Sequence, residues 1–66
     1  MVKYRLVSPY VGEHVQLHNT ELKAKRSLTH ASNTSPSDEE INGKWANFEA
    51  LGWKIQKVKI TIEVIE

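Results

Sequence analysis

The stretch Ser35-Pro36-Ser37-Asp38-Glu39-Glu40 begins the part of this sequence that decides the fold. Ser35 is expected to cap a helix that has Pro36 at its first position. The three acids at 38–40 then lie where the positive end of the helix dipole favours negative charge. Apolar residues follow at helical spacing, namely Ile41, Trp45, Phe48 and Leu51. The sequence therefore predicts a helix over about residues 36–51.

A strand is predicted directly after this helix. Gly52 serves as the stop at the carboxyl end, and the apolar period then changes from 3.6 to 2. The residues that alternate are Val58, Ile60, Ile62 and Val64. They predict a final strand over about residues 53–65, which is long for a small protein.

The N-terminal half alternates twice. Residues 2–8 predict a first strand, with Val2, Tyr4 and Leu6 on one face and Lys3 and Arg5 on the other. After a turn at 9–12, residues 14–18 predict a second strand, and residues 19–20 could close a tight hairpin.

Residues 21–29 allow two interpretations. As a strand they form two faces, one with Leu22, Ala24, Arg26 and Leu28 and the other with Lys23, Lys25 and Ser27. As a helix capped by Thr20 they contain good helix formers, but the two leucines are poorly aligned as anchors. We favour the strand.

These elements predict one α+β domain over residues 1–66. Its antiparallel sheet has three or four strands, and one helix packs on one face, in the order β-β-β-α-β. The predicted core joins the helical stripe to the apolar face of the outer strands, namely Val2, Tyr4, Leu6, Val58, Ile60, Ile62 and Val64.

Composition narrows the class of protein. The chain has 66 residues, a net charge of +1 and no cysteine, which excludes disulfides and cysteine-based zinc as sources of stability. No apolar run approaches the roughly 20 residues that span a bilayer, and the start lacks the apolar stretch of a signal peptide. We therefore expect a cytoplasmic protein without a membrane partner.

A basic face of the sheet is the strongest functional candidate. The acids lie mostly on the helix, so the solvent face of the sheet is expected to be positive and to dock acidic partners. Alternatively, these lysines only protect a small sheet from aggregation. The candidate partner-binding residues are Lys3, Arg5, Lys57 and Lys59, together with Lys23 and Lys25 if their segment is a strand.

Other chemistry has weaker support in the sequence. Nucleic acid is a less favoured partner, because single-strand readers stack bases on aromatic residues, and only Tyr10 and Trp53 are expected to be exposed. His14 and His18 would lie about 13 Å apart on a strand, too far for one metal ion, and are read as solvated. The serines fall in turns or caps. We expect no metal, no cofactor and no enzyme activity.

The segment Asp38 to Ile60, DEEINGKWANFEALGWKIQKVKI, resembles the helix–strand half of small phage-encoded inhibitors of bacterial RNA polymerase. The matching features are the Asp-Glu start, Phe48, Gly52 followed by Trp53, and the alternation after them. The resemblance implies that Lys57 and Lys59 contact an acidic region of the polymerase, where the family has arginines.

Three functional hypotheses follow. The leading one is a non-enzymatic phage or mobile-element protein that inhibits or modulates a host protein through the basic face, in the host cytoplasm. The second is a small accessory protein that binds RNA or DNA through the same residues. The third is a self-assembling module, in which the long last strand forms a homodimer.

Overall fold

The computed structural model describes residues 1–65 as five elements. They are β1 (Val2–Ser8), β2 (Gly12–Glu13), α1 (Glu21–Thr29), α2 (Asp38–Ala50) and β3 (Lys54–Lys59). The α+β class and the three-stranded antiparallel sheet confirm the coarse prediction, whereas the single helix and the order β-β-β-α-β are wrong. No helix in this part of the chain could cross a membrane, because none is long and apolar enough.

Strand β1 lies in the centre of the sheet, whose order is β2-β1-β3. It pairs with β3 along almost its whole length, from Val2 opposite Lys59 to Val7 opposite Lys54. On its other side it pairs with β2, and an isolated bridge joins Tyr4 to His18. The predicted strand over 14–18 is therefore wrong except for that bridging residue, because residues 15–17 turn out into solvent.

Residues 21–29 form a helix, so the favoured strand prediction is wrong. The Oγ1 of Thr20 accepts the Lys23 N–H at 3.1 Å, which caps α1 and rules out a hairpin turn at residues 19–20. Ala24 is 0 % exposed and packs with Leu6 and Trp45. The residue that α1 buries in the core is thus a small one, and a pattern of large apolar residues does not reveal it.

Helix α2 begins two residues later than predicted. Its N-cap is Ser37 and not Ser35, because the Ser37 Oγ accepts the Glu40 N–H at 3.2 Å. Ser37 and Glu40 have the spacing of a capping box, which the sequence contains and the prediction overlooked. The helix ends as expected before Gly52, whose φ of 103° suits glycine.

The core lies between the helices and one face of the sheet. Leu6, Ala24, Ile41 and Trp45 are buried, and the residues packed partly buried against the central cluster are Tyr4, Leu28, Phe48, Trp53 and Ile55. Four predicted core residues are exposed instead, namely Val2, Leu51, Ile62 and Val64. Leu51 is the C-cap of α2, and the other three lie at or beyond the end of the β1–β3 ladder.

Strand β3 is shorter than the predicted strand over 53–65. The ladder continues to Ile60, whose N–H donates to the Met1 carbonyl at 2.8 Å. Residues 61–65 lie outside the sheet with exposed side chains.

Candidate functional site

An open cleft of about 650 Å³ lies beside α1, between the loop before the helix and the loop after it. We call it the basic cleft. Its lining consists of Gln16, His18, Lys23, Arg26, Ser27, His30 and Ser32. None of these seven side chains is a carboxylate, and each can donate a hydrogen bond.

Helical spacing brings together most of the lining. Lys23, Arg26, Ser27 and His30 follow one another at i, i+3, i+4 and i+7, so they form one face of α1 that extends to its C-cap. The loop before the helix supplies the facing residues Gln16 and His18. The cleft therefore depends on residues 21–29 being a helix.

His18 is fixed by both its backbone and its ring. Its backbone exchanges two hydrogen bonds with Tyr4, at 2.9 and 2.7 Å, and its Nε2 lies 3.4 Å from the Ser27 Oγ. The Ser27 hydroxyl donates to the Ala24 carbonyl at 2.6 Å, so the imidazole must be the donor in the contact with Ser27. Burial lowers the pKa of His18, because desolvation disfavours the imidazolium. His18 thus lines the cleft with a ring whose Nε2 proton is directed at Ser27.

The loop after α1 is held against the helix by Arg26. Its guanidinium donates to the Thr34 carbonyl, and the Thr34 N–H donates to the Ala31 carbonyl at 3.1 Å. His30 caps the helix by donating its N–H to the Arg26 carbonyl at 3.0 Å, and its Nδ1 lies 2.8 Å from the Thr29 hydroxyl. The wall that contains Arg26 and His30 is therefore ordered by its own hydrogen bonds.

This arrangement is suited to binding an anion. Lys23 and Arg26 supply positive charge, and the side chains of Gln16, His30 and Ser32 add hydrogen-bond donors, so together they can surround a carboxylate or phosphate with charge-assisted hydrogen bonds. The contact between Ser27 and His18 differs from that of an activated serine, since the serine proton is given to the backbone and not to the imidazole.

The structure separates the residues predicted to form a basic sheet face. Directly opposite residues of an antiparallel pair share a face. Lys3 lies opposite Val58 and Arg5 opposite Gln56, on the face that the helices leave open. Lys57 and Lys59 are on the other face, as shown by their pairing with Tyr4 and Val2. The prediction that these four residues share one face is wrong.

The error arises from the apolar pattern of β3. Ile55 pairs with Leu6 and faces the core, whereas Val58, three residues later, falls on the open face. When a strand has apolar residues on both faces, its sequence does not show which set of alternating residues faces the core. A wrong choice places every side chain on the opposite face.

Hydrogen bonds hold three of the candidate cations. Lys3 donates its Nζ to the Asn19 side chain, and Arg5 donates its Nε to the Gln56 Oε1 at 2.6 Å. Lys25 joins the helices by donating to the Asn42 Oδ1 at 3.0 Å. Lys23, Lys57 and Lys59 are exposed, and only Lys23 lines the basic cleft. Lys23 and Lys25 were expected on the sheet face only if their segment formed a strand. Because it forms α1, neither residue belongs to that face.

Sequence reasoning missed Arg26, His18 and His30 as site residues. The signal that could have identified the helical part is the polar i, i+3, i+4, i+7 spacing of residues 23, 26, 27 and 30. It was hidden because the segment was interpreted with a period of 2.

The other histidine of the predicted second strand has a packing role. The His14 ring meets the Trp53 ring edge to face at 5.3 Å between centroids. His14 and His18 are both partly buried, so their interpretation as solvated is wrong. Residues 1–65 contain no group of three side chains placed to hold a metal ion.

The function has to be inferred from the basic cleft and the exposed charges, because no family model, curated protein or solved structure matches this chain.

Proposed function

We propose that this chain is a non-enzymatic binding protein that docks an acidic surface of a partner protein in the basic cleft. The composition of the cleft carries the proposal, since Lys23 and Arg26 line it together with polar side chains and without a carboxylate. An acidic side chain that enters would exchange water for charge-assisted hydrogen bonds. The same positive charge would steer an acidic partner during its approach.

The exposed lysines of β3 extend this surface. Lys57 and His18 lie on opposite sides of Tyr4 in one cross-strand row, on the face that carries the helices. Strands lie about 4.8 Å apart, so the backbones of Lys57 and His18 are separated by about 10 Å. A protein partner of ordinary interface size could reach both places, because it covers about 800 Å² of each surface.

Inhibition of a host protein is the specific form of this proposal. The resemblance over residues 38–60 makes bacterial RNA polymerase the candidate target and a phage or mobile element the source. It assigns the contacts to Lys57 and Lys59, and both side chains are exposed at the end of the α2–β3 unit. The basic cleft would then be a second contact with the same acidic partner.

A protein partner is favoured over nucleic acid by the placement of the aromatic residues. Tyr10 is the one aromatic side chain within residues 1–65 that is exposed, while the other four are buried or partly buried. Proteins that bind single strands stack successive bases on several aromatic rings. The described surface offers no such row.

Capture of partners from a bacterial lysate, followed by mass spectrometry, tests the proposal. We expect one acidic protein that survives nuclease treatment and is lost with Lys23→Glu or with the double variant Lys57→Glu, Lys59→Glu. Lys44→Glu is the matched control, because Lys44 is also exposed, belongs to α2 and lies outside the cleft. Circular dichroism should be unchanged in all of these variants.

Two results would contradict the proposal. One is a captured partner that resists both charge reversals while the fold is intact. The other is sub-micromolar binding of RNA or DNA at physiological salt, where a few phosphate contacts give only weak non-specific affinity. That second result would favour the nucleic-acid hypothesis.

A further inference from the structure

The open edge of β3 carries an inference of its own. Strand β3 lies at the edge of the sheet, and the Ile60 N–H points toward β1, where it donates to Met1. Backbone groups of successive residues in a strand point in opposite directions. The N–H and C=O groups of Lys59 and Thr61 are therefore directed to the open edge.

The segment that continues this edge is exposed and apolar. The exposed fractions are 71 % for Ile62, 82 % for Val64 and 91 % for Ile65. The molecule is elongated, since its radius of gyration of 13.4 Å exceeds the roughly 11 Å of a compact chain of this length. Such edges pair readily with another strand.

We propose that residues 57–65 pair antiparallel with the same residues of a second copy, about a two-fold axis through Thr61. Thr61 then lies opposite Thr61 of the partner subunit. The other opposite pairs, each formed twice, are Val58 with Val64, Lys59 with Glu63, and Ile60 with Ile62. Apolar pairs fill one face of the new ladder, and two ion pairs lie on the other.

The charged residues of the segment indicate both its register and its partner, which is a second copy of the same segment. Lys59 and Glu63 stand two residues before and two residues after Thr61, so the segment is complementary to itself. An axis through Ile62 would place Lys59 opposite Ile65 and Glu63 opposite Thr61. An axis through Ile60 would place Lys57 opposite Glu63, but Lys59 opposite Thr61 and Gln56 opposite Val64. Only the axis through Thr61 opposes Lys59 to Glu63 and also pairs the apolar residues 58, 60, 62 and 64 with one another.

The proposed pairing forms a closed dimer. It joins two sheets into one of six strands, in which residues 57–59 of β3 in each copy no longer lie at an edge. The remaining edge is β2, which has only two residues, Gly12–Glu13. A two-fold contact that uses identical edges gives a dimer and does not grow into a fibre.

A charge-exchange experiment tests the proposal with the full chain. Sedimentation equilibrium over a concentration series should show the wild type rising from the mass of one chain to the mass of two. Lys59→Glu opposes glutamate to glutamate, and Glu63→Lys opposes lysine to lysine, so each variant should dimerise on the order of tenfold less tightly or worse. An equimolar mixture of the two should dimerise again, because both pairs between positions 59 and 63 then oppose a glutamate to a lysine. Lys57→Glu is the control, since Lys57 lies opposite Ile65 in this register.

Thr61→Pro tests the dimer independently of charge. It removes a donor from the open edge but leaves the bond from Ile60 to Met1, so it should abolish the dimer with circular dichroism unchanged. The proposal is overturned by a wild type that stays monomeric at high concentration, or by a mixture of Lys59→Glu and Glu63→Lys that stays monomeric. Loss of the dimer with Lys57→Glu would overturn the register.

Discussion

Replacing Ile41 with alanine should remove a large part of the free energy of unfolding. Ile41 is 2 % exposed, and the substitution deletes three carbon atoms. At about 0.8 kcal/mol per buried methylene the transfer loss is about 2.4 kcal/mol, and the cavity raises the total to about 3–4 kcal/mol. A chain of 66 residues has about 3–10 kcal/mol in all. The variant should therefore be marginally folded.

Leu51 provides the matched control for this prediction. It belongs to the same helical stripe in the sequence, but it is 61 % exposed, so Leu51→Ala should change the free energy of unfolding by less than about 0.5 kcal/mol. Urea titration followed by tryptophan fluorescence reports both variants, because Trp45 is buried in the same core. The midpoints are compared at a common m-value.

Equal losses at Ile41 and Leu51 would refute the reasoning. They would mean that Leu51 also lies in the core, as the sequence pattern predicts. A loss below about 1 kcal/mol at Ile41 would mean that its surroundings collapse around the alanine or that the side chain is not enclosed.

Two further predictions concern α1 and its cleft. Thr20→Ala removes the cap of α1 and should lower the free energy of unfolding by about 1 kcal/mol, measured by urea titration, whereas an unchanged value would argue against a helix at residues 21–29. Burial lowers the pKa of His18 below 6.5, so the folded state binds fewer protons than the unfolded one, and the free energy of unfolding should fall as pH drops through 6.5 toward the folded-state pKa. His18→Gln should flatten that pH dependence, and an identical slope in both proteins would exclude His18 as its source.

Local signals in the sequence predicted much of this fold. The alternation of β1, the acidic start of α2 and the stop at Gly52 are determined by nearby residues, and each has a counterpart in the structure. Two serines compete to cap α2, and the one that has a glutamate three residues later prevails.

Features that depend on tertiary contacts were less predictable. Residues 21–29 become a helix through a cap at Thr20 and through Ala24, whose small size lets the helix pack closely with Leu6 and Trp45. The phase of β3 is fixed by its pairing with β1, which no local pattern encodes. Both errors affected the candidate site, because the first concealed the cleft-lining face of α1 and the second placed four cations on one surface.

The central position of β1 has a consequence for how the chain folds during its synthesis. Its main partner, β3, is the last of the five elements to be made, and even their closest pair, Val7 with Lys54, encloses a loop of 46 residues. Closing a loop of that length costs about 3 kcal/mol of chain entropy by the logarithmic rule. The two helices need only local contacts, so we expect them to meet first, while the edge of β1 that pairs with β3 stays open on the growing chain. A prolonged pause in translation before residue 54 should therefore leave a strand that is open to chaperones and to aggregation.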